Sequence, residues 1–313
     1  MKLVLQLPCR DEAGQLPATL AGLPRQVPGF DHVEWLVIDD GSSDGTAEVA
    51  RAAGADHVLR LPENRGLARA FAAGLEAACR LGADVIVNVD GDNQYRSEFI
   101  GALCEPLVAG RADIVVGCRP IARIAHFSGL KKLLQRLGSA VVRLVAGVKV
   151  SDATSGFRAY TREAAMSLNV YSRYTYTLET LVQAGQAKLR VLSVPVEVNA
   201  PTRPSRLMRS SSEYVRRSLL TMLRSFVIYR PLRFFLVPTV LATGLGVAIG
   251  ARFMVLWMGG NGSGNVQSLI LAAILIILGA VCLSVGLAAD LLSVNRRLLE
   301  DIQASQRRRD WRP

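Results

Sequence analysis

Soft-metal ligands are sparse in this chain. Its three histidines, His32, His57 and His126, stand far apart, and its five cysteines, Cys9, Cys79, Cys104, Cys118 and Cys282, contain no C-x-x-C spacing. That scatter excludes the usual zinc sites and a disulfide framework, and it fits a reducing compartment. Acidic side chains are the minority charge: 37 Lys and Arg against 26 Asp and Glu leave a formal net charge of +11. No internal repeat or low-complexity tract is present. A signal peptide is not expected, because residues 1–7 are too few for an apolar core and Pro8, Arg10 and Asp11 break the run.

Long apolar runs are abundant by contrast. Residues 234–257 and 266–292 each exceed the ~20 residues a helix needs to cross a bilayer. The connection between them, residues 258–265, is polar and glycine-rich, so the pattern predicts a transmembrane helical hairpin with both ends on one side. Arg224, Arg230 and Arg233 precede it, Arg296, Arg297, Arg307, Arg308 and Arg309 follow it, and the turn carries none. The positive-inside rule then puts the N-terminal domain and the C-terminal tail on the cytoplasmic side of an inner membrane. Arg252, near the outer end of the first run, is expected to snorkel to the interface.

The expected division is a soluble α/β domain over 1–205, basic amphipathic juxtamembrane helices over 206–233, the two spans within 234–292, and a basic tail over 293–313 that is disordered or lies on the membrane. Residues 119–149 share the basic amphipathic character, read either as solvated helix faces or as helices on an anionic lipid surface. Nucleic acid is not expected as a partner, since the hairpin already accounts for the positive charge. Assembly into a homo-oligomer through the helices is left open.

Residues 2–7, 34–38, 85–89 and 114–117 are near-continuous apolar runs, as in parallel strands covered on both faces. Helical patterns over 16–23, 46–53 and 66–81 alternate with them, which argues for a doubly wound, mostly parallel α/β sheet. Ligands of such sheets bind beyond the strand C-termini.

Four strand exits carry the chemistry. They read Pro8-Cys-Arg-Asp-Glu12, Asp39-Asp-Gly-Ser-Ser-Asp-Gly-Thr46, Glu63-Asn-Arg-Gly-Leu67 and Asp90-Gly-Asp92. Two carboxylates one residue apart at a strand exit suit Mg²⁺ or Mn²⁺, hard cations that take oxygen ligands and substrate phosphates; two exposed aspartates in a turn are the plain alternative. Ser43 or Asp44 can cap the helix at Thr46, whereas Asp39 and Asp40 exceed what capping needs, and one of them can accept from the imide N–H of uracil or from another base edge. The backbone before the third helix, with Arg65, can serve anionic phosphates, or Gly66 can simply fix a turn.

Together with Ser155-Gly-Phe-Arg158, these segments resemble the family-2 glycosyltransferases of the GT-A fold over nearly all of residues 1–205. With the hairpin, the chain is similar to the polyprenyl-phosphate branch of that family, which includes dolichyl-phosphate mannose synthases and GtrB-like glucosyltransferases. The resemblance implies transfer of a sugar from a nucleotide sugar, a UDP-sugar in preference to GDP-mannose, to a polyprenyl phosphate at the cytoplasmic membrane face. It implies that Pro8, Glu12, Asp39, Asp40, Asn64 and Asp90 bind the nucleotide, and that Asp90, Asp92 and Gln94 hold the metal. Arg119, Lys132, Arg136 and Ser139 would face the acceptor phosphate, and Arg203 and Arg206 the donor diphosphate or that same phosphate. Asp92, Arg119 and Glu179 are the candidate catalytic residues. Glu179 stands where relatives hold a catalytic carboxylate, and it reads as a sugar-hydroxyl acceptor, an organiser of the acceptor site or a structural helix residue.

Two segments depart from the family pattern. Cys9-Arg-Asp11 replaces an aromatic and Asn, and Arg203 replaces a glycine in Thr202-Arg-Pro-Ser-Arg-Leu207. A processive polysaccharide synthase is the first alternative, although Gln306-Arg-Arg-Arg-Asp-Trp311 only approximates the Gln-x-x-Arg-Trp segment such enzymes carry. A non-catalytic nucleotide-binding membrane scaffold is the alternative of another class.

Overall fold

The computed structural model describes residues 1–91, 94–119, 147–148, 150–170, 176–199, 220, 223–224, 227–259 and 266–311. The chain divides into two compact units, Met1–Ser218 with Glu300–Pro313, and Leu219–Leu299.

In the first unit seven strands form one sheet: β1 (Lys2–Cys9), β2 (His32–Asp39), β3 (His57–Arg60), β4 (Val85–Asn88), β5 (Ile114–Cys118), β6 (Arg158–Thr161) and β7 (Val191–Pro195). Their order is β3-β2-β1-β4-β6-β5-β7. Strand β6 is antiparallel to both neighbours and every other pairing is parallel. The apolar runs of β1, β4 and β5 are buried almost throughout, as strands covered on both faces require.

Helices α1 (Leu16–Ala21), α2 (Thr46–Ala52), α3 (Leu67–Arg80), α4 (Ile100–Val108), α5 (Arg162–Ser167) and α6 (Thr177–Gln186) also belong to this unit. The inner face of α3 carries Ala70, Phe71, Gly74, Leu75 and Ala78, all buried. Gly74 sets its distance from the sheet, because a side-chain carbon there would come within 2.5 Å of Gln6 Oε1 and 2.7 Å of Ile38 Cδ1.

The mostly parallel GT-A-type sheet agrees with the sequence expectation, and β6 and β7 add to it. Strand β6 reads Arg-Ala-Tyr-Thr, which is not an apolar run, and β7, a short Val-Leu-Ser-Val-Pro, lies half-exposed at the sheet edge. The topology brings the exits of β1 to β5 to one rim, and reversed β6 begins there. Ser155-Gly-Phe157 therefore meets the acidic strand exits although it precedes its strand.

The second unit contains α7 (Pro231–Met258) and most of α8 (Val266–Asp310). Only 11% of the most apolar stretch of α7 and 17% of that of α8 is buried. Both are long and apolar enough to cross a membrane, with the exposure that lipid-facing helices have rather than core helices. They approach through glycines, as membrane helices do: a carbon added at Gly246 would meet the Ala272 carbonyl at 2.9 Å, and one at Gly286 would meet Phe235 Cβ at 2.8 Å.

One expectation is corrected here. Residues 293–310 are not a disordered tail, because α8 continues through them to Asp310. No glycine or proline follows Gly286 before Asp310, and the Leu, Ala, Gln, Glu and Arg found there are strong helix formers. The end of α8 packs within the first unit, where Arg307 Nη1 donates to the carbonyls of Met166 (3.2 Å) and Leu168 (3.0 Å). A cation at the open carbonyls of α5 is the pairing a helix C-terminus favours.

Candidate active site

The β1 and β2 exits are laced together. Ser43 N and Oγ donate to Asp11 Oδ1 at 2.9 and 3.3 Å, and Asp11 N donates to Ser42 Oγ at 2.9 Å. Glu12 N donates to Thr46 Oγ1 (3.0 Å) and Ala13 N to Asp44 Oδ2 (3.0 Å). Asp11 adopts a left-handed φ of 51°, unusual for a residue with a side chain, and its bonds to the 42–43 turn hold it there. The departures from the family pattern thus have local roles. Asp11 clasps the two loops, and Cys9 is buried under Gly91, where an added carbon would lie 2.6 Å from Cys9 Sγ.

Asp39 and Asp40 are both buried yet differently engaged. Both Asp40 oxygens are filled, by the N–H groups of Arg65 and Gly66 at 2.8 Å each. They fix the turn into α3, which also presses on Gly41: a carbon there would lie 2.5 Å from the Glu63 backbone. The amides expected to serve phosphates are therefore occupied by Asp40. Asp39 Oδ1 accepts from Ser42 N at 2.8 Å, whereas its Oδ2 has no hydrogen bond, with Arg60 Nε 3.5 Å away. Asn64, exposed, accepts from Gly66 N through its own side chain at 3.1 Å. Pro8, the last residue but one of β1, pairs with Ile38 of β2.

At the β4 exit, Asp90 lies against the loop before β6. A carbon on Gly156 would sit 3.0 and 3.1 Å from the two Asp90 oxygens and 2.9 Å from Tyr176 Oη, so only glycine fits. Gln6 Nε2 donates to Asn88 Oδ1 (2.9 Å), and Asn88 Nδ2 donates to the Gly156 carbonyl (2.9 Å). Tyr176 stacks on Phe71 with ring centroids 3.8 Å apart. Burial first, then the charge of Asp90, holds the Tyr176 phenol well above its ordinary pKa. Burial likewise pushes Tyr95 up to about 12. Both phenols are thus protonated at neutral pH.

Arg119, just past β5, forms a buried pair with Asp152. Nε lies 2.7 Å from Oδ2 and Nη2 3.2 Å from Oδ1, and Nη2 also reaches Thr154 Oγ1 at 3.1 Å. Burial alone would raise the Asp152 pKa, but the Arg119 charge and hydrogen bonds reverse this and hold it below the ordinary carboxylate value. Arg158 is fully buried and donates to the carbonyls of Ser155, Thr177 and Ala153 at 2.8 Å each, and to Thr180 Oγ1 at 2.9 Å. It ties the loop before β6 to the first turn of α6. Glu179 lies in that turn, partly exposed and three residues beyond Tyr176.

Gln94 enters the same rim, its carbonyl accepting from Asn199 N at 2.8 Å beside the Tyr95–Val198 bridge. Asp92, Lys132, Arg136, Ser139, Arg203 and Arg206 lie outside the described residues. Among the described residues no cluster of three acidic, histidine or cysteine ligands forms. The donors that are described, the Asp90 carboxylate and the Gln94 amide, are hard oxygen groups of the kind Mg²⁺ and Mn²⁺ accept. Asp152 was missed in the sequence; its only signal is an acid three residues ahead of Ser155-Gly-Phe-Arg158.

The model of glycosyl transferase family 2 matches residues 6–168. The chain is 29% identical over 206 residues to undecaprenyl-phosphate mannosyltransferase of Micrococcus luteus, covering 63% of this chain and 83% of that one. It is 29% identical over 201 residues to polyprenol monophosphomannose synthase of Mycolicibacterium smegmatis, covering 61% and 74%. Among solved structures, glucosyl-3-phosphoglycerate synthase of Mycobacterium tuberculosis, crystallised with Mn²⁺, UDP-glucose and phosphoglyceric acid, shares the fold at a TM-score of 0.55. The identity is 23%, over 72% of this chain and 79% of that one.

Proposed function

The chain belongs to glycosyl transferase family 2, and we propose that it transfers a sugar from a nucleotide sugar to a polyprenyl phosphate at the cytoplasmic face of the membrane. The observation that carries this reading is that Asp39, Asp90 and Arg119 stand at strand exits along one rim of the sheet, in a chain with two helices apolar enough to cross a bilayer. The names of the curated relatives supply the acceptor class. Residues 1–205 form the catalytic domain in this reading, and residues 234–292 keep it at the lipid surface.

Asp39 Oδ2, buried and without a hydrogen bond, suits the ring N–H of a base, uracil or guanine alike, with Pro8, Glu12 and Asn64 around the nucleotide; the preference for a UDP-sugar rests on the family resemblance alone. Asp90, with Asp92 and Gln94, would hold Mg²⁺ or Mn²⁺, which supplies positive charge to the leaving diphosphate. Arg119 is fixed by Asp152 and Thr154, so it meets a phosphate with its orientation already set. Lys132, Arg136, Ser139, Arg203 and Arg206 add donors for the lipid phosphate or the donor diphosphate.

A phosphate monoester, with its second pKa near ~6, is largely dianionic at neutral pH. Its oxygen attacks the anomeric carbon, the bond to the diphosphate oxygen breaks, and the configuration inverts. No strong base is needed, consistent with protonated Tyr95 and Tyr176. Glu179 accepts from a sugar hydroxyl or organises the acceptor.

The test is purified full-length protein with Mg²⁺ or Mn²⁺, a short polyprenyl phosphate and a panel of nucleotide sugars, read by mass spectrometry of the lipid. A polyprenyl-phosphate sugar of inverted configuration is expected. Nucleotide binding with no turnover of any donor would instead favour the scaffold.

A further inference from the structure

We propose that the outer face of α3, together with the end of α8, forms a second anion site, one that takes a phosphate group. The site is a cavity of about 380 Å³ lined by Arg65, Arg69 and Arg307, with Glu76, Asn169 and Trp311. Its charge is unbalanced. Glu76 is paired with Arg80 at 2.7 Å. Arg69 has no ion pair among the described residues, and Arg65 has only exposed Glu63, 3.9 Å away. Arg307 bonds to carbonyls, not to a carboxylate.

Arg65 and Arg69 also stand at the N-terminal end of α3, whose first turn holds no acidic residue. Cations there oppose the helix dipole, and an anion between them would relieve both the dipole and their mutual repulsion. A second observation points the same way. Asn169 is 4% exposed and lines the cavity, yet its Nδ2 has no hydrogen-bond partner. A buried donor without an acceptor is costly unless a ligand supplies one. Guanidinium groups with an amide donor are the chemistry that recognises a phosphate. Arg65 also links this site to the nucleotide rim, because its amide holds Asp40 while its side chain lines the cavity. The phosphate comes either from a lipid headgroup or from solution.

The test is equilibrium dialysis of labelled inorganic phosphate, with EDTA present, against full-length protein in phosphatidylcholine nanodiscs. Saturable binding is expected, weakened at least tenfold in Arg69→Gln and in Arg307→Gln. The Arg69→Gln variant leaves the contacts of α8 intact, so its loss of binding is not an unseated helix. Suppression of phosphate binding in phosphatidylglycerol nanodiscs assigns the site to a lipid headgroup, and equal binding in both lipids assigns it to free phosphate. No binding by the wild type in phosphatidylcholine, or equal binding by the Arg69→Gln variant, overturns the proposal.

Discussion

The exits of β1 and β2 and the flank formed by β5 and β6 reach the same rim, but charge does different work in each. At β1 and β2 carboxylates accept from backbone N–H groups of neighbouring turns: Asp40 from residues 65 and 66, Asp11 from Ser43, Asp44 from Ala13. At β5 and β6 buried guanidinium groups join distant segments: Arg119 meets residues 152 and 154, and Arg158 reaches from 153 to 180. The first arrangement shapes loops locally. The second is all-or-none, because removing one partner strands a charge away from water. Asp90 sits between them, against Gly156, and is the place to test whether rim chemistry and rim architecture separate.

The largest effect is expected there. Asp90→Ala should lower sugar transfer by about 10³-fold or more, a loss of roughly 4 kcal/mol or more in the barrier, while the melting temperature stays close to the wild type. A melting temperature that falls as far as the activity would make Asp90 part of the architecture instead.

Next comes the Arg119–Asp152 pair. Asp152→Asn should destabilise the protein by about 3–5 kcal/mol at neutral pH, since it leaves Arg119 buried without a counter-charge. The folded-state pKa of Asp152 is depressed, so the pair's contribution is complete above the unfolded value near ~3.9 and is lost as pH falls through the folded value. The gap between wild type and variant should therefore be constant from neutral pH to mildly acid conditions and narrow below that range. Melting curves at a series of pH values check this, and a gap independent of pH would rule out the ionic account.

The local arrangement predicts a smaller change. Asp40→Asn replaces one of two charge-assisted acceptors by an amide that cannot accept, so it should cost about 1–3 kcal/mol. It should also loosen the turn into α3, raising the donor KM more than it lowers kcat.

These differences explain what was legible in the sequence. The parallel strands and the acidic exits were, because continuous apolar runs ending in aspartates carry their meaning locally. Strand β6 was not, since its first residue is an arginine whose burial depends on four acceptors, two in the loop before it and two in α6. Asp152 was not, because its role depends on an arginine 33 residues away. The helical tail was hidden by its charge, which suggested solvent or lipid, whereas Arg307 closes the C-terminal carbonyls of α5.

The adjacent aspartates give the finest test, because no sequence pattern distinguishes them. Asp39 keeps its Oδ1 bond to Ser42 if changed to Asn, and the atom replaced has no hydrogen bond to lose. Its remaining partner, Arg60, is half exposed at 3.5 Å, so Asp39→Asn should cost less than about 1 kcal/mol in stability. An amide in that place offers N–H where the base offers N–H, so nucleotide affinity should fall about tenfold, or ~1.4 kcal/mol. Calorimetry of nucleoside diphosphate binding alongside thermal melting separates the two aspartates: Asp39→Asn should move the first readout alone, and Asp40→Asn should move both. An Asp39→Asn variant that binds as tightly as the wild type would show that this oxygen faces no base, and Asp39 would drop out of the nucleotide site.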